Sequence, residues 1–396
     1  MTVSKEAARR LMMLKQGIFA QNGSGKKDIY DAIDDLGCVQ IDAISVVERA
    51  HYLTLWTRLG DYDKNYLWEL AYKDRHLFEY MAHAASYIPF KDYRYYLHAM
   101  NVRKGEIEGR FKKWGKTDPE LINNVLERID KEGPLSSKDF EGPKRIGGWW
   151  NWKPAKLALE LLYGAGILLI DHRENFQKYY DLSENIVPNW VDIDPPEENE
   201  RVQFFIIKTL GCLGLTKPQE IRSYYHDHSV KLGMRTSDIQ DYLGELVSDD
   251  FVVKFEVDWD KDLYYCLPED HDLVSGLSDD PLFDGVQLVG YFDNLMWIRE
   301  RISLFFDFEP KLEIYLPNTE RVYGYYHFPV IYGDRIVARI EPKMDRSEKK
   351  LLIVGYWLED GFESTEEYED RLWDNLESFA SFNGADEIIW DQPYNT

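Results

Sequence analysis

The order of predicted helices and hairpins repeats along this chain, and such a repeat constrains the fold more than any single motif. Amphipathic helices followed by a β-hairpin are predicted three times, in residues 1–115, 116–190 and 195–280. The predicted hairpins lie at residues 77–88, 167–180 and 251–267, each after a helical segment. Helices followed by a hairpin are the order of a winged-helix module, so the sequence predicts three such modules in tandem.

The chain becomes rich in predicted strands from about residue 281. Short β-rich segments separated by Pro or Gly turns lie at residues 311–316, 321–326, 329–331, 335–340 and 350–356, and a helix is predicted over 365–382. We therefore predict an α+β fold, in which the tandem winged-helix (helix-turn-helix) modules are followed by a C-terminal antiparallel β-barrel in residues 281–396.

The formal net charge of −24 is unevenly distributed. Residues 1–180 carry 28 basic and 25 acidic side chains, whereas residues 181–396 carry 19 and 46. Non-specific affinity for nucleic acid comes from Lys and Arg contacts to phosphates. If the chain binds DNA, we therefore expect the first two modules to contact it.

A short alternating segment follows the second predicted helix. Val39, Ile41 and Ala43 are apolar, whereas Gln40 and Asp42 are polar, which predicts a half-buried strand with an amide and a carboxylate on one exposed face. Such a pair can orient and activate water, because the carboxylate accepts a proton and the amide offers both a donor and an acceptor. The alternative is a solvated strand edge. Ser45, with Glu48 three residues later, predicts the start of the next helix.

A basic and aromatic cluster in the second module is a candidate DNA-binding surface. Its residues are Lys144, Arg145, Trp150, Trp152, Lys153 and Lys156. Aromatic faces between cations suit base stacking beside phosphate contacts, and the two C-terminal lysines lie at the start of a predicted helix. The alternative for the tryptophans is a place in the core of the module.

Several other residues admit two interpretations. His51 could orient the Gln40/Asp42 segment or contact phosphate, or it could be an ordinary packed histidine. Asp293 is by default a local helix cap. The tyrosines of residues 321–326 suit barrel packing, with a wedge at a DNA surface as the alternative. His226 and His228 alternate at a predicted helix end and cannot converge on one ion, so no metal site is predicted.

The remaining composition excludes several classes of protein. The sequence contains no P-loop, GxGxxG, nucleophile elbow or HExxH motif, so a nucleotide cofactor or a zinc hydrolase centre is not expected. Cys38, Cys212 and Cys266 are far apart and suit buried thiols in a reducing compartment. No apolar run is long enough to cross a bilayer, and the N-terminal segment lacks a signal-peptide core. We expect a cytoplasmic protein.

Several blocks together resemble the bacterial winged-helix DNA glycosylases that unhook interstrand crosslinks. The matching blocks are Gln40-Ile41-Asp42, residues 46–51 and 55–60, Trp149 to Pro154, residues 292–295, residues 323–326 and residues 332–335. They occur in the family's order over nearly the whole chain. The resemblance implies tandem winged helices with a C-terminal β-barrel, and excision of N7-alkylated purines from double-stranded DNA.

The resemblance also implies the site residues. The family's Gln-apolar-Gln or Gln-apolar-Asp motif corresponds here to Gln40 and Asp42, with Arg49, His51 and Asp293 as supporting residues. It implies a monomer associated with the nucleoid that needs no cofactor. Two rivals remain: a non-catalytic winged-helix DNA-binding protein or transcription regulator, and a scaffold that binds proteins through its acidic half.

Overall fold

The computed structural model describes residues 3–20, 23–113, 119–140, 154–229, 233–277 and 283–390. Two compact units account for the chain: one combines Met1–Lys64 with Val202–Thr396, and the other is Asn65–Arg201. The division into four successive modules stays a prediction. No helix of the described residues is both long and apolar enough to span a membrane.

The helices of the described residues are α1 (Lys5–Lys15), α2 (Lys26–Asp35), α3 (Ala50–Leu59), α4 (Lys64–Trp68), α5 (Tyr93–Lys113), α6 (Pro119–Glu132), α7 (Pro154–Gly164), α8 (Ser183–Ile186), α9 (Glu198–Leu213), α10 (Pro218–Tyr224), α11 (His226–Ser229), α12 (Thr236–Ser248), α13 (Pro268–Gly276), α14 (Arg299–Phe306) and α15 (Glu366–Phe382). A π-helical turn (Glu69–Lys73) follows α4, and short 3-10 turns lie at Phe90–Asp92, Asn294–Met296 and Asn318–Glu320.

The strands are β1 (Val39–Gln40), β2 (Leu77–Met81), β3 (Ala85–Pro89), β4 (Leu135–Ser136), β5 (Leu168–Glu174), β6 (Gln177–Leu182), β7 (Val253–Phe255), β8 (Tyr264–Cys266), β9 (Val286–Leu288), β10 (Phe328–Tyr332), β11 (Arg335–Asp345), β12 (Lys350–Leu358) and β13 (Glu387–Trp390). The hairpins β2–β3, β5–β6 and β7–β8 lie where the sequence predicts them.

The first unit is built on α1, whose sequence favours a buried helix. Ser4 accepts a hydrogen bond from the Ala7 amide and caps its N-terminus. The apolar residues of α1 lie in one core with side chains from α14 and from the segment after β9. Arg9 and Arg10 are also buried, because both donate to the Asp334 carboxylate, at 3.2 and 2.8 Å.

A second core in this unit joins α9, α10 and α12 to the β7–β8 hairpin. It contains Val202, Ile206, Leu210, Ile221, Ile239, Leu243, Leu246 and Val252. Thr216 forms a bridge with Tyr265 of β8, so a third extended segment lies beside the hairpin. Helices α9, α10 and α12 precede the hairpin, in the order that the sequence predicts for residues 195–280.

The second unit contains two hairpins and a buried ion pair between them. Glu79 of β2 is 2% exposed and accepts from Nε and Nη2 of Arg173 in β5, at 2.7 and 2.6 Å. The Tyr72 hydroxyl also donates to this carboxylate. The three-stranded sheet of this unit has the order β4-β6-β5.

The C-terminal sheet differs from the predicted antiparallel barrel. Its five strands have the order β13-β12-β11-β10-β9, and β13 pairs with β12 in parallel. Among the described strands, β13 and β9 are therefore edges of an open sheet, and α15 packs against β9 and β13.

The prediction of strands at residues 311–316 and 321–326 is wrong. Both segments are irregular apart from a short turn at Asn318–Glu320. Side-chain carboxylates take the place of a neighbouring strand: Glu313 accepts from the amides of Val322 and Tyr323, and Glu341 accepts from the amides of Tyr325 and Tyr326. Backbone donors satisfied in this way need no sheet partner.

His327 should make the stability of the first unit depend on pH. Burial holds the pKa of its imidazole at about 3, and the nearby Arg339 acts in the same direction. The unfolded chain takes up a proton below the ordinary value of about 6.5, whereas the folded chain stays neutral, so stability falls as pH falls. We expect His327→Gln to reduce the loss of unfolding free energy between pH 7 and pH 5 by about 2 kcal/mol.

Chemical denaturation at the two pH values measures this difference. Glutamine can still bond to the Tyr291 hydroxyl, which lies 2.7 Å from Nε2 of His327. The same pH dependence in both proteins would contradict the prediction.

Candidate functional site

The Gln40/Asp42 segment begins at a tight turn after α2. Gly37 adopts φ of +72°, and a Cβ there would lie 2.1 Å from the Tyr225 hydroxyl, so only glycine suits this position. Val39 and Ile41 are buried, whereas the side chains of Gln40 and Asp42 are partly exposed. The predicted alternation is thus confirmed at these four positions.

The structure shortens the predicted strand and moves the following helix. Strand β1 ends at Gln40, Ala43 is exposed, and residues 41–49 are irregular. The helix predicted to begin at Ser45 begins instead at Ala50, because Glu48 does not form a capping box. Its carboxylate accepts from the Arg49 amide at 2.9 Å and from Lys64 at 2.9 Å.

The Asp42 carboxylate is held by hydrogen bonds from the backbone. Its Oδ1 accepts from the Ile44 amide at 2.7 Å. Burial raises the pKa of Asp42 above its ordinary value, while hydrogen bonds from the Ile44 and Ala43 amides act in the opposite direction. Among the described residues, no Lys or Arg lies within ion-pairing distance of this carboxylate. A desolvated anion without a counter-ion is poised to stabilise positive charge that develops beside it.

A turn from the far end of the chain fixes the start of this segment. Asn294 Nδ2 donates to the Cys38 carbonyl at 2.8 Å and to the Tyr224 hydroxyl at 2.9 Å. The Tyr224 hydroxyl in turn donates to the Leu36 carbonyl at 2.8 Å. Both carbonyls therefore have side-chain donors, and the backbone that enters β1 is held on two sides.

Asp293 is both the local cap that the sequence indicates and half of a buried ion pair. Its Oδ1 accepts from the Leu295 amide at 2.9 Å. Its carboxylate also binds the Arg58 guanidinium in a bidentate pair, with 2.8 Å between Nη2 and Oδ1. Both side chains are 3% exposed or less. Asp293 thus orients Asn294.

Tyr326 packs against this turn. It is 2% exposed, its ring stacks on Phe292 at 5.9 Å, and its hydroxyl would be 3.3 Å from a Cβ at Gly290. Burial raises the pKa of the Tyr326 phenol, and the Asp42 and Asp293 carboxylates raise it further. Tyr326 therefore stays a neutral hydroxyl beside the two carboxylates.

The irregular segment after Asp42 is fixed by β11 and the turn that follows it. The Met344 amide donates to the Val46 carbonyl at 3.1 Å. Arg346 Nη2 donates to the carbonyls of Val47 and Ser45, at 2.6 and 3.3 Å. The backbone that carries the carboxylate therefore does not depend on a regular helix for its position.

The other predicted site residues lie at different distances from this arrangement. Arg49 is the residue before α3, and His51 in its first turn is 2% exposed, with its ring 4.4 Å from that of Tyr52. Lys156 is partly buried on α7. The remaining five, Lys144, Arg145, Trp150, Trp152 and Lys153, lie outside the described residues.

Sequence reasoning missed the roles of Asn294, Tyr224, Arg58 and Tyr326. No local pattern reveals that Asn294 donates to a carbonyl 256 positions away. The adjacent Asp293 was a usable signal, because a predicted cap fixes the backbone of the residue that follows it. Arg58 stands in a mainly apolar helix, AHYLTLWTRL, where a charge requires a buried partner.

The model of one protein family, DNA glycosylase AlkZ-like, matches residues 33–382. The chain belongs to this family. Among solved structures it is similar to the Streptomyces sahachiroi DNA glycosylase AlkZ, with a TM-score of 0.66 and 16% sequence identity over 98% of this chain and 99% of that one. The chain is thus a DNA glycosylase, an enzyme of DNA repair whose substrate is DNA.

The role of Asn294 can be separated from its contribution to stability. We expect Asn294→Ala to lower the single-turnover rate of base release, because the backbone at Cys38 loses its donor, and to destabilise the fold by about 1–3 kcal/mol. Asn375→Ala is a matched control in the same unit, since Asn375 Nδ2 donates to the Val286 carbonyl at 3.0 Å, away from the Gln40/Asp42 segment. The Asn375→Ala variant should be less stable than the native enzyme but should release the base at the native rate. Equal rates for the two folded variants would argue against the positioning role.

Proposed function

We propose that this enzyme is a monofunctional DNA glycosylase that hydrolyses the N-glycosidic bond of N7-alkylated purines, including interstrand crosslinks, and leaves abasic sites for base excision repair. Gln40 and Asp42 are its catalytic residues, and Arg49, His51 and Asp293 support them. The observation that carries this proposal is the Asp42 carboxylate, which is desolvated, held by a backbone amide and not neutralised by a described Lys or Arg.

The chemistry requires little more than this carboxylate. An N7-alkylguanine carries a positive charge, so the base leaves as a neutral species when it takes both electrons of the C–N bond. The sugar becomes an oxocarbenium-like cation, which the Asp42 anion stabilises electrostatically. Gln40 orients a water molecule, whose oxygen bonds to C1′ while its proton passes to Asp42.

A strand-nicking activity is not proposed, because it needs an amine nucleophile. Lys64, the lysine next in the chain after α3, is held by Glu48 at 2.9 Å and by the Phe382 carbonyl at 3.2 Å. Its ammonium also lies 4.2 Å from the centre of the Phe382 ring. An ammonium bound in this way is not available to attack a sugar.

The partial exposure of Gln40 and Asp42 supports action on crosslinks. A purine tethered to the opposite strand cannot rotate fully out of the duplex, unlike the substrates of base-flipping enzymes. Its bond can be reached only by catalytic groups near an open surface. Both side chains are partly exposed, and neither lines the cavity of about 280 Å³ beside α1 and α2.

The module organisation extends the proposal to DNA binding. The order α6, β4, α7, β5, β6, with the sheet order β4-β6-β5, supports a winged helix in residues 116–190. We place further modules at 1–115 and 195–280, before the C-terminal domain at 281–396. Lys144, Arg145, Trp150, Trp152, Lys153 and Lys156 would contact duplex DNA, and the enzyme would act as a monomer at the nucleoid.

Substitution of the catalytic pair tests the proposal. We expect Asp42→Asn to lower the single-turnover release of 7-methylguanine from duplex DNA by at least about 100-fold, because a neutral amide neither stabilises the cation nor accepts the proton. Gln40→Ala should also lower the rate. Both variants should still bind the duplex, whereas Asp35→Asn, at the end of α2, is a control that should keep full activity.

Two results would contradict the proposal. Undiminished release by Asp42→Asn would exclude its catalytic role. The second result is a native enzyme that binds the duplex but releases no base from DNA with 7-methylguanine or a nitrogen-mustard crosslink. Its substrate would then be a different lesion.

The pH dependence of the rate tests the same carboxylate. Because burial raises the pKa of Asp42, the ionised form is lost at a pH above the ordinary value of about 3.9 as the solution is acidified. We expect the single-turnover rate to fall on this acid side, after spontaneous depurination is subtracted. The residual rate of Asp42→Asn should not show this fall at acidic pH. A rate independent of pH down to about 4, with circular dichroism showing a folded enzyme, would contradict the assignment.

A further inference from the structure

Exposed apolar side chains are concentrated in one short stretch of the first unit. Of the twelve large apolar residues that are exposed in the described part of the chain, four lie between positions 315 and 325. They are Tyr315, 81% exposed, Val322, 62%, Tyr325, 40%, and Leu316, 39%. We refer to residues 313–326 as the Tyr315 loop. A cluster of exposed apolar groups marks an interaction site more often than chance exposure does.

Two carboxylates hold the backbone of the Tyr315 loop in place. Glu313 is 3% exposed and accepts from the Val322 amide at 2.9 Å and the Tyr323 amide at 2.7 Å. Glu341 accepts from the Tyr325 amide at 2.6 Å. Between them Gly324 has φ of +92°, and a Cβ there would lie 1.9 Å from the Glu341 carboxylate. The loop is therefore preorganised with its apolar side chains in solvent.

Arginine side chains hold the rings of the same loop. The Arg339 guanidinium lies 4.0 Å from the centre of the Phe308 ring and 4.2 Å from that of Tyr323, which fixes the inner part of the loop. The Arg321 guanidinium lies 4.9 Å from the Tyr325 ring, and its Nε donates to the Leu316 carbonyl at 3.0 Å. The exposed ring of Tyr325 is thus positioned before any partner arrives.

The Tyr315 loop leads directly into the catalytic region. Tyr326, the residue after Tyr325, stacks on Phe292 with 5.9 Å between the ring centres. Phe292 belongs to the turn whose Asn294 holds the Cys38 carbonyl, two residues before Gln40. The exposed Tyr325 ring is therefore carried by the residue next to one that packs on the turn holding the start of the Gln40/Asp42 segment.

We propose that the Tyr315 loop contacts the bases beside the lesion, with Tyr325 stacking on a nucleobase and Tyr315 and Val322 entering the groove of the duplex. This inference rests on the proposed action at Gln40 and Asp42. Aromatic side chains stack on any nucleobase, so this contact depends neither on the DNA sequence nor on a positively charged protein surface. Apolar side chains are the ones that proteins insert between base steps. Such contacts suit this loop, because Glu320 offsets the positive charge of Arg321 and the contacts do not depend on a net positive charge.

The DNA duplex is the occupant favoured over a second protein chain because the loop is continuous with the site. A loop at the edge of a site that removes bases from duplex DNA is covered by the substrate during turnover. Because the backbone of the loop is already ordered, binding does not incur the loss of conformational entropy that ordering a mobile loop would require.

A fluorescent base next to the lesion tests the contact. Duplexes with 2-aminopurine beside 7-methylguanine should change fluorescence when the native enzyme binds, because the probe loses its normal stacking. We expect Tyr325→Ala to abolish this change and to raise KM roughly 5- to 100-fold, as expected for a lost base–aromatic stack. Tyr325→Phe should retain both properties, because stacking needs the ring and not the hydroxyl.

Trp373→Ala is the matched control. Trp373 is 37% exposed in the same unit, but it lies on α15 beside the exposed carboxylates of Asp370 and Asp374, which repel DNA. It should behave as the native enzyme does. Gly324→Ala should behave as Tyr325→Ala does, because it moves the loop while keeping every apolar side chain.

Two results would overturn the inference. One is an unchanged KM and probe response in Tyr325→Ala. The other is a native dimer, detected by sedimentation, that Tyr325→Ala dissociates. The change in 2-aminopurine fluorescence requires binding but not catalysis. It therefore still tests the contact with the Tyr315 loop if the enzyme releases no alkylated base. Failure of the loop contact is therefore distinguishable from failure of the proposed reaction.

Discussion

The buried ion pair between Arg58 and Asp293 is the interaction on which the site depends. Arg58 comes from α3 and also donates to the carbonyls of Gln16 and Thr54, at 2.9 and 2.8 Å. Asp293 caps the turn that carries Asn294. Removing either partner would leave an uncompensated charge in the core, which typically costs 3–5 kcal/mol. The same loss would release the turn that holds the Cys38 carbonyl, so stability and the geometry of the Gln40/Asp42 segment are coupled.

The carboxylates of Asp42 and Asp293 have opposite environments, and this difference supports the roles proposed for them. Asp293 is bidentate to a guanidinium, so its charge is already neutralised. Among the described residues, the donors to Asp42 are backbone amides, and burial raises its pKa. In the proposed reaction, a cation that develops on the sugar is therefore attracted to Asp42 far more than to Asp293. Environments that separate two similar groups in this way are typical of acid–base and electrostatic catalysis.

Secondary structure and exposure that depend on residues near in the sequence could be predicted. Structure that depends on contacts with residues far away in the sequence could not. The Ser4 cap, the helices α6, α10 and α12 and the exposure of Gln40 and Asp42 follow from local periodicity and capping chemistry. The helix expected at Ser45 fails because Arg346 and Met344 bind the backbone of that segment from about 300 positions away. The strands expected at 311–326 fail because Glu313 and Glu341 occupy the backbone donors. Propensity is a weak prior where a tertiary partner competes.

The distribution of charge makes non-ionic contacts important in the first unit. Residues 65–201 carry 20 basic and 23 acidic side chains, whereas the rest of the chain carries 27 and 48. Several basic groups of that larger, acidic part serve the core: Arg58, Arg301 and Arg339 are each 2% exposed or less and bind a carboxylate. Guanidiniums bound in this way release no counterions when DNA arrives, so they add nothing to salt-dependent affinity. Under the proposed function, a unit with this charge balance holds its substrate by shape, by stacking and by the attraction of Asp42 for a positively charged base. That attraction would favour N7-alkylated purines over the neutral bases around them.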